Sequence, residues 1–177
     1  MEVEPVYGEG FFHVSMGTIY YTIIYEYREL DDEAHRAARN PSMRRREEEG
    51  IAREMQRLMD AEKILVNGER VRCVVDLVRL EPRPERRHAA VIHSRIDYKP
   101  LPGKNVYEDF YEPEVAPYDY TVYWVAPPGG SIVDVDTPGA LRYGADRRIA
   151  IIHVRRGTRL NGYEAVVFRL PESWTTS

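Results

Sequence analysis

Between about Asp31 and Lys63 the sequence keeps a helical rhythm, and on both sides of that stretch it alternates with the period of a β-strand. This interruption constrains the fold more than any other feature, because one helical segment must be buried against a body of strands. Asp31-Asp32-Glu33 opens the segment, with acids where the helix dipole favours them. Asn40-Pro41 stops the first helix, since a proline disfavours the α conformation in the residue before it. Ser42 then suits the N-cap of a second helix, from Met43 to about Glu62. Ile51, Met55, Leu58 and Met59 form its one apolar stripe, so it docks by a single face, and Gly50 weakens it. Arg44-Arg45-Arg46-Glu47-Glu48-Glu49 neutralises itself through i, i+4 pairs and reads as a solvated face.

The remainder reads as strands. Over Phe11 to Tyr27, broken by a turn at Met16-Gly17, Ile19, Tyr21, Ile23, Tyr25 and Tyr27 alternate with Tyr20, Thr22, Ile24 and Glu26. Both sets are largely apolar, which predicts cover on both sides. Asn67-Gly68 is the strongest hairpin signal. Further strands are predicted at about Val71–Leu80, His88–Tyr98, Tyr118–Ala126, Ile132–Val135, Ile149–Arg155 and Tyr163–Leu170. Proline- and glycine-rich separators stand between them, and Pro102 to Pro117 reads as an irregular loop. The predicted class is α+β, mostly β: an antiparallel β-sandwich or partly open barrel with one inserted helical segment packed on one side. One domain is expected over residues 1–171, comprising a hairpin at 5–28, the insertion at 31–63 and a β-rich body at 64–171, with a loose tail at 172–177.

Composition narrows the setting. Of 177 residues, 43% are apolar and 31% charged, enough to bury a core and to exclude disorder over most of the length. The single cysteine, Cys73, rules out an intramolecular disulfide and fits a reducing compartment; as a strand residue beside Val71 and Val75 it reads as a small buried hydrophobe. The N-terminus lacks a basic n-region and an apolar h-region, and no apolar run is long enough to span a bilayer, so the expected location is cytoplasmic with no membrane partner. Lysine occurs only at Lys63, Lys99 and Lys104 among 25 basic residues, and glutamine only at Gln56, a thermophile-like composition that a GC-rich genome also produces.

Motifs for chemistry are sparse. The histidines His13, His35, His88, His93 and His153 show no zinc-ligand spacing. Pro127-Pro128-Gly129-Gly130-Ser131 lacks the lysine and the helix of a phosphate loop, and no serine-hydrolase motif occurs. No metal and no cofactor are expected. Two segments stand out. The loop from Asn105 to Tyr120 carries Glu108, Asp109, Glu112, Glu114 and Asp119 with no basic residue, and its rings Tyr107, Phe110 and Tyr111 are of the type that anchors interfaces. Its acids do not follow the spacing of a calcium-binding EF-hand loop. The segment from Ala140 to Gly162 carries the opposite charge, including Arg155 and Arg156.

These features predict a binding or interaction module that self-associates through the aromatic-acidic loop, with Tyr107, Phe110, Tyr111, Glu112, Glu114, Arg155 and Arg156 as the binding residues and a protein partner as a further option. The alternative is a small hydrolase-like enzyme using loop carboxylates and a histidine such as His153. A second alternative is a nucleic-acid accessory role for the C-terminal arginines, against which stand the net charge of −4 and the lack of a recognised signature.

Overall fold

The computed structural model of the chain describes residues 2–175. The chain opens with a long hairpin, β1 (Val3–Val14) and β2 (Thr18–Glu29), turned at Gly17 with φ 78°. Two helices follow, α1 (Asp32–Arg39) and α2 (Pro41–Ala61). The body is β3 (Lys63–Val66), β4 (Glu69–Val71), β5 (Cys73–Arg83), β6 (Arg87–Asp97), β7 (Lys104–Phe110), β8 (Glu114–Val115), β9 (Tyr120–Val125), β10 (Ser131–Asp136), β11 (Ala140–Tyr143), β12 (Ile149–Val154), β13 (Arg159–Leu160) and β14 (Tyr163–Arg169). A turn of helix, α3 (Glu172–Thr175), ends the described chain. Trp174 packs against the core, so the expected loose tail is ordered at least to that residue, while Thr176 and Ser177 lie outside the described residues.

The fold is α+β and mostly β, laid out as a sandwich with no closed barrel among the described residues. The larger sheet has seven strands in the order β11-β12-β9-β1-β2-β6-β5, and the smaller has five in the order β10-β14-β7-β3-β4. β8 and β13 form a separate two-stranded ladder. Neighbours are antiparallel except β1 and β9, which run parallel with Gly8 opposite Tyr120. The expected all-antiparallel layout therefore needs this amendment. Parallel pairing joins segments distant in sequence, so no local turn announces it.

The inner face of the large sheet is covered by two different layers. Over its β1–β9–β12 half lies the small sheet: the Tyr107 ring of β7 sits 5.7 Å from Phe12 of β1 and 4.9 Å from Trp124 of β9. Over its β2–β6–β5 half lie the helices, with Met59 Sδ 3.9 Å from Ser94 Oγ and Ala34, Ala37 and Ala38 buried. The α2 stripe faces the sheet as expected but is fully buried only at Met59, and Leu58 departs from it. Met59 is buried, Ile51 and Met55 are half-buried, and Arg53 and Arg57 are exposed; Leu58, at 43% exposure, stands at the margin. α2 also guards a sheet edge. Gln56 Oε1 accepts from Val75 N at 2.9 Å, Gln56 Nε2 donates to Cys73 O at 3.0 Å, and Glu48 Oε1 accepts from Leu80 N at 2.8 Å. Those contacts satisfy backbone groups that an edge strand otherwise leaves open to aggregation.

Two local expectations are corrected. The N-cap of α2 is Asn40, not Ser42: the Asn40 side chain accepts from Ser42 N and Met43 N, and Pro41 takes the first helical position, where its missing N–H costs nothing. The loop between Pro102 and Pro117 contains strand β7, at the centre of the small sheet, where charged side chains had masked the alternation of Asn105, Tyr107 and Asp109 with Val106, Glu108 and Phe110. The Asn67-Gly68 turn forms as expected, both residues with positive φ, at 55° and 77°.

Candidate functional site

A cleft of about 580 Å³ opens between the end of α2, the small sheet and the inner face of the large sheet. That is within the usual range for small-molecule sites, about 300–1,000 Å³. Its floor is shaped by missing side chains. Gly8 lies between Tyr25 on β2 and Tyr120 on β9 in one cross-strand row. A Cβ on Gly8 would stand 3.1 Å from Tyr118 Cε2 and 3.3 Å from Tyr120 Cβ, and one on Gly10 3.3 Å from Tyr21 Cε2. The two glycines let tyrosine rings lie against the strand backbone.

The walls combine these rings with carboxylates. Asp109 on β7 pairs with Ile64 on one side and Glu164 on the other, so both acids stand in one row of the small sheet. They share the inner face with Tyr107 and Val166 because successive strand residues point to opposite faces. Glu62 adds a third carboxylate from the C-cap of α2. Tyr111, Glu112, Glu114 and Tyr118 continue the lining, with Glu112 and Glu114 exposed. The lining contains no lysine, arginine or histidine.

Uncompensated burial shows in the acid strengths. The Glu62 carboxyl is pushed up to about 8 by burial first, then by the charges of Asp109, Glu164 and Glu114. The negative end of the helix dipole opposes its ionisation too. Glu164 is raised to about 7 by burial and by Asp109, although Tyr111 donates to its Oε1 at 3.2 Å. Asp109 is raised to about 6 by burial, partly offset by the Tyr107 hydroxyl 3.4 Å from Oδ2. The other Asp109 oxygen, Oδ1, is buried and without a hydrogen-bond partner. Burial likewise raises the hydroxyls of Tyr21, Tyr25, Tyr111 and Tyr120, which remain protonated donors. Among the described residues no three metal-ligating side chains are grouped so as to hold a metal ion.

The residues singled out from sequence divide. Tyr107 is buried as a bridge between the sheets. Tyr111, Glu112 and Glu114 line the cleft. Phe110 points the other way, onto the outer face of the small sheet, against Tyr163 at 5.0 Å and under Lys63 at 5.1 Å. Arg155 and Arg156 sit exposed after β12. The backbone N–H of Arg156 donates to Asp119 Oδ1 at 2.7 Å, but neither guanidinium makes an ion pair with a described carboxylate. His153 is on the opposite face of the large sheet, 3.1 Å from Thr121 Oγ1, so it does not join the loop carboxylates. Arg147 is held by the carbonyls of Ile132 and Val133 and by the Tyr143 ring, 3.8 Å away.

Sequence reading missed Glu62, Glu164 and the Gly8–Gly10 pair. The glycine spacing, i and i+2 on one strand face, was the one available signal, marking a close approach. A second buried polar cluster is structural. The fully buried Glu29 carboxylate accepts from Arg39 at 2.7 Å and meets His35 Nδ1 at 2.8 Å, tying α1 to β2. No family model matches the chain, and no curated protein matches it in sequence.

Proposed function

We propose that this chain is a binding module whose cleft takes a small organic cation, an alkylammonium or similar amine. One observation carries the reading: Glu62, Asp109 and Glu164 stand half-buried among tyrosine rings in a lining without a single basic side chain. A cation is the occupant that supplies the missing counter-charge, and ring faces attract desolvated cations by about 0.5–2 kcal/mol each. An organic ion suits the wide aromatic lining better than a compact metal ion, for which no ligand group is assembled among the described residues. Tyr111, Glu112 and Glu114, expected to bind a partner, act in this reading at the cleft itself.

The test is calorimetric titration with tetramethylammonium and butane-1,4-diamine against neutral isosteric alcohols. Amines should bind and alcohols should not. Binding should tighten as pH rises from 6 to 8, because the carboxyls at about 6, 7 and 8 lose their protons over that window. Glu164→Gln should weaken binding at least about tenfold. Equal binding of alcohol and amine, or none of either, would overturn the reading.

The same spread of acid strengths supports a second reading, a carboxylate-only hydrolase. At pH 7 it pairs a protonated Glu62 with an ionised Asp109, a donor and an acceptor in one cleft. Turnover of chromogenic glycosides or esters that Glu62→Gln abolishes would select it.

A further inference from the structure

The outer face of the seven-stranded sheet has no described element over it. Register carries one row of side chains straight across: Leu77, His93, Thr22, Phe11, Tyr123 and Ile151, closed by Arg142 at the far edge. Phe11 stands at its centre, on the fourth of seven strands, stacked on Tyr123 at 4.8 Å and 5°. The row above runs through Tyr20 and His13, and the row below through Ile24 and Glu9. Tyr20 is 53% exposed, Leu77 50% and Ile149 37%.

Seven strands about 4.8 Å apart and three rows about 6.8 Å apart make a face on the order of 700 Å². It comes close to the roughly 800 Å² that each partner contributes to a standard interface. Arg95 is engaged by Asp76 and Asp97, and Arg79 and Arg142 stand on the two edge strands, so no track of free positive charge crosses the middle of the face for a phosphate backbone.

We propose that this face is the contact between two copies of the chain, packed sheet on sheet about a two-fold axis along the central row. That axis sets Phe11 on its own copy. It also sets Glu9, one row below, opposite His13 of the second copy, one row above, so a carboxylate meets an imidazole twice. An axis along the strands would oppose Glu9 to Glu9, which costs free energy. The face lies on the opposite side of the large sheet from the cleft, so this inference does not depend on the ligand reading.

Sedimentation velocity up to about 100 µM decides it. The chain should sediment as a dimer. Phe11→Glu should raise the dimer dissociation constant at least about 30-fold, as expected for a central aromatic anchor. His13→Glu should weaken the dimer, and Glu9→Lys added to it should restore association. If Phe11→Glu loses its circular dichroism spectrum, Tyr20→Glu with Leu77→Glu tests the same face at exposed positions. A monomeric wild type overturns the proposal, and so does a dimer that survives the face variants. Dissociation by Glu112→Arg with Glu114→Arg, the face variants remaining dimeric, would instead place the contact at the loop.

Discussion

At the scale of single residues, buried charge is resolved in two opposite ways. Burial pushes Glu29 up, but hydrogen bonds from Arg39 and His35 outweigh it and hold the carboxyl below its usual range. Glu62 has no such donors and is raised from 4.5 to about 8. A carboxyl raised in the folded state keeps its proton longer than in the unfolded chain. Stability is then greatest below the unfolded value and falls as pH rises from 4.5 through about 8, where the loss is complete. Glu62→Gln removes that penalty. Relative to wild type, the variant should gain on the order of 1 kcal/mol between pH 5 and pH 9, after allowance for solvent screening. Urea titrations at the two pH values measure it, and a gain at pH 5 that vanishes at pH 9 would reverse the assignment. Cys73 shows the bland outcome of burial, its thiol raised to about 12 and its side chain part of the core.

At the scale of elements, capping chemistry explains where the helices start. Asp31 Oδ1 accepts from Ala34 N at 2.6 Å, and Asn40 Oδ1 accepts from Ser42 N at 3.1 Å and Met43 N at 3.2 Å. Asn40 is also the residue that ends α1, so one side chain sets the angle between two helices. Asn40→Ala should cost about 1 kcal/mol, whereas Ser42→Ala, which removes only the hydroxyl that donates to the capping Asn40 Oδ1 at 2.8 Å, should cost less. Thermal or urea unfolding of the two variants separates them, and an equal loss would return the cap to Ser42. On the strand side, the legible elements were those with local punctuation. Asn67-Gly68 needs only its own positive φ values, and β5, β6, β12 and β14 alternate clearly. β7 escaped because three of its seven residues are charged, which hid a central strand behind the appearance of a solvated loop.

At the scale of the molecule, Tyr107 joins the two sheets. It lies on β7 and reaches Phe12 and Trp124, which stack on each other at 4.2 Å and 2° with Tyr21 beyond at 3.9 Å from Phe12. Tyr107→Ala should cost about 3–5 kcal/mol, the range for removing a buried ring. A shift in the urea midpoint corresponding to less than about 1 kcal/mol would mean the layers are held elsewhere.

What the sequence determined by itself was local. It set the helix pair and its docking stripe, the turns, most of the strands and the mostly-β class, because these follow from periodicity and from the conformations that Asn, Gly and Pro permit. The tertiary structure alone decided the cleft and the broad outer face. Gly8 meets Tyr120 through a parallel pairing, and Asp109 meets Glu164 across strands 55 positions apart. Which acids go without a counter-charge also depends on which side chains the packing excludes. No pattern along the chain records that, since electrostatics and burial act through space.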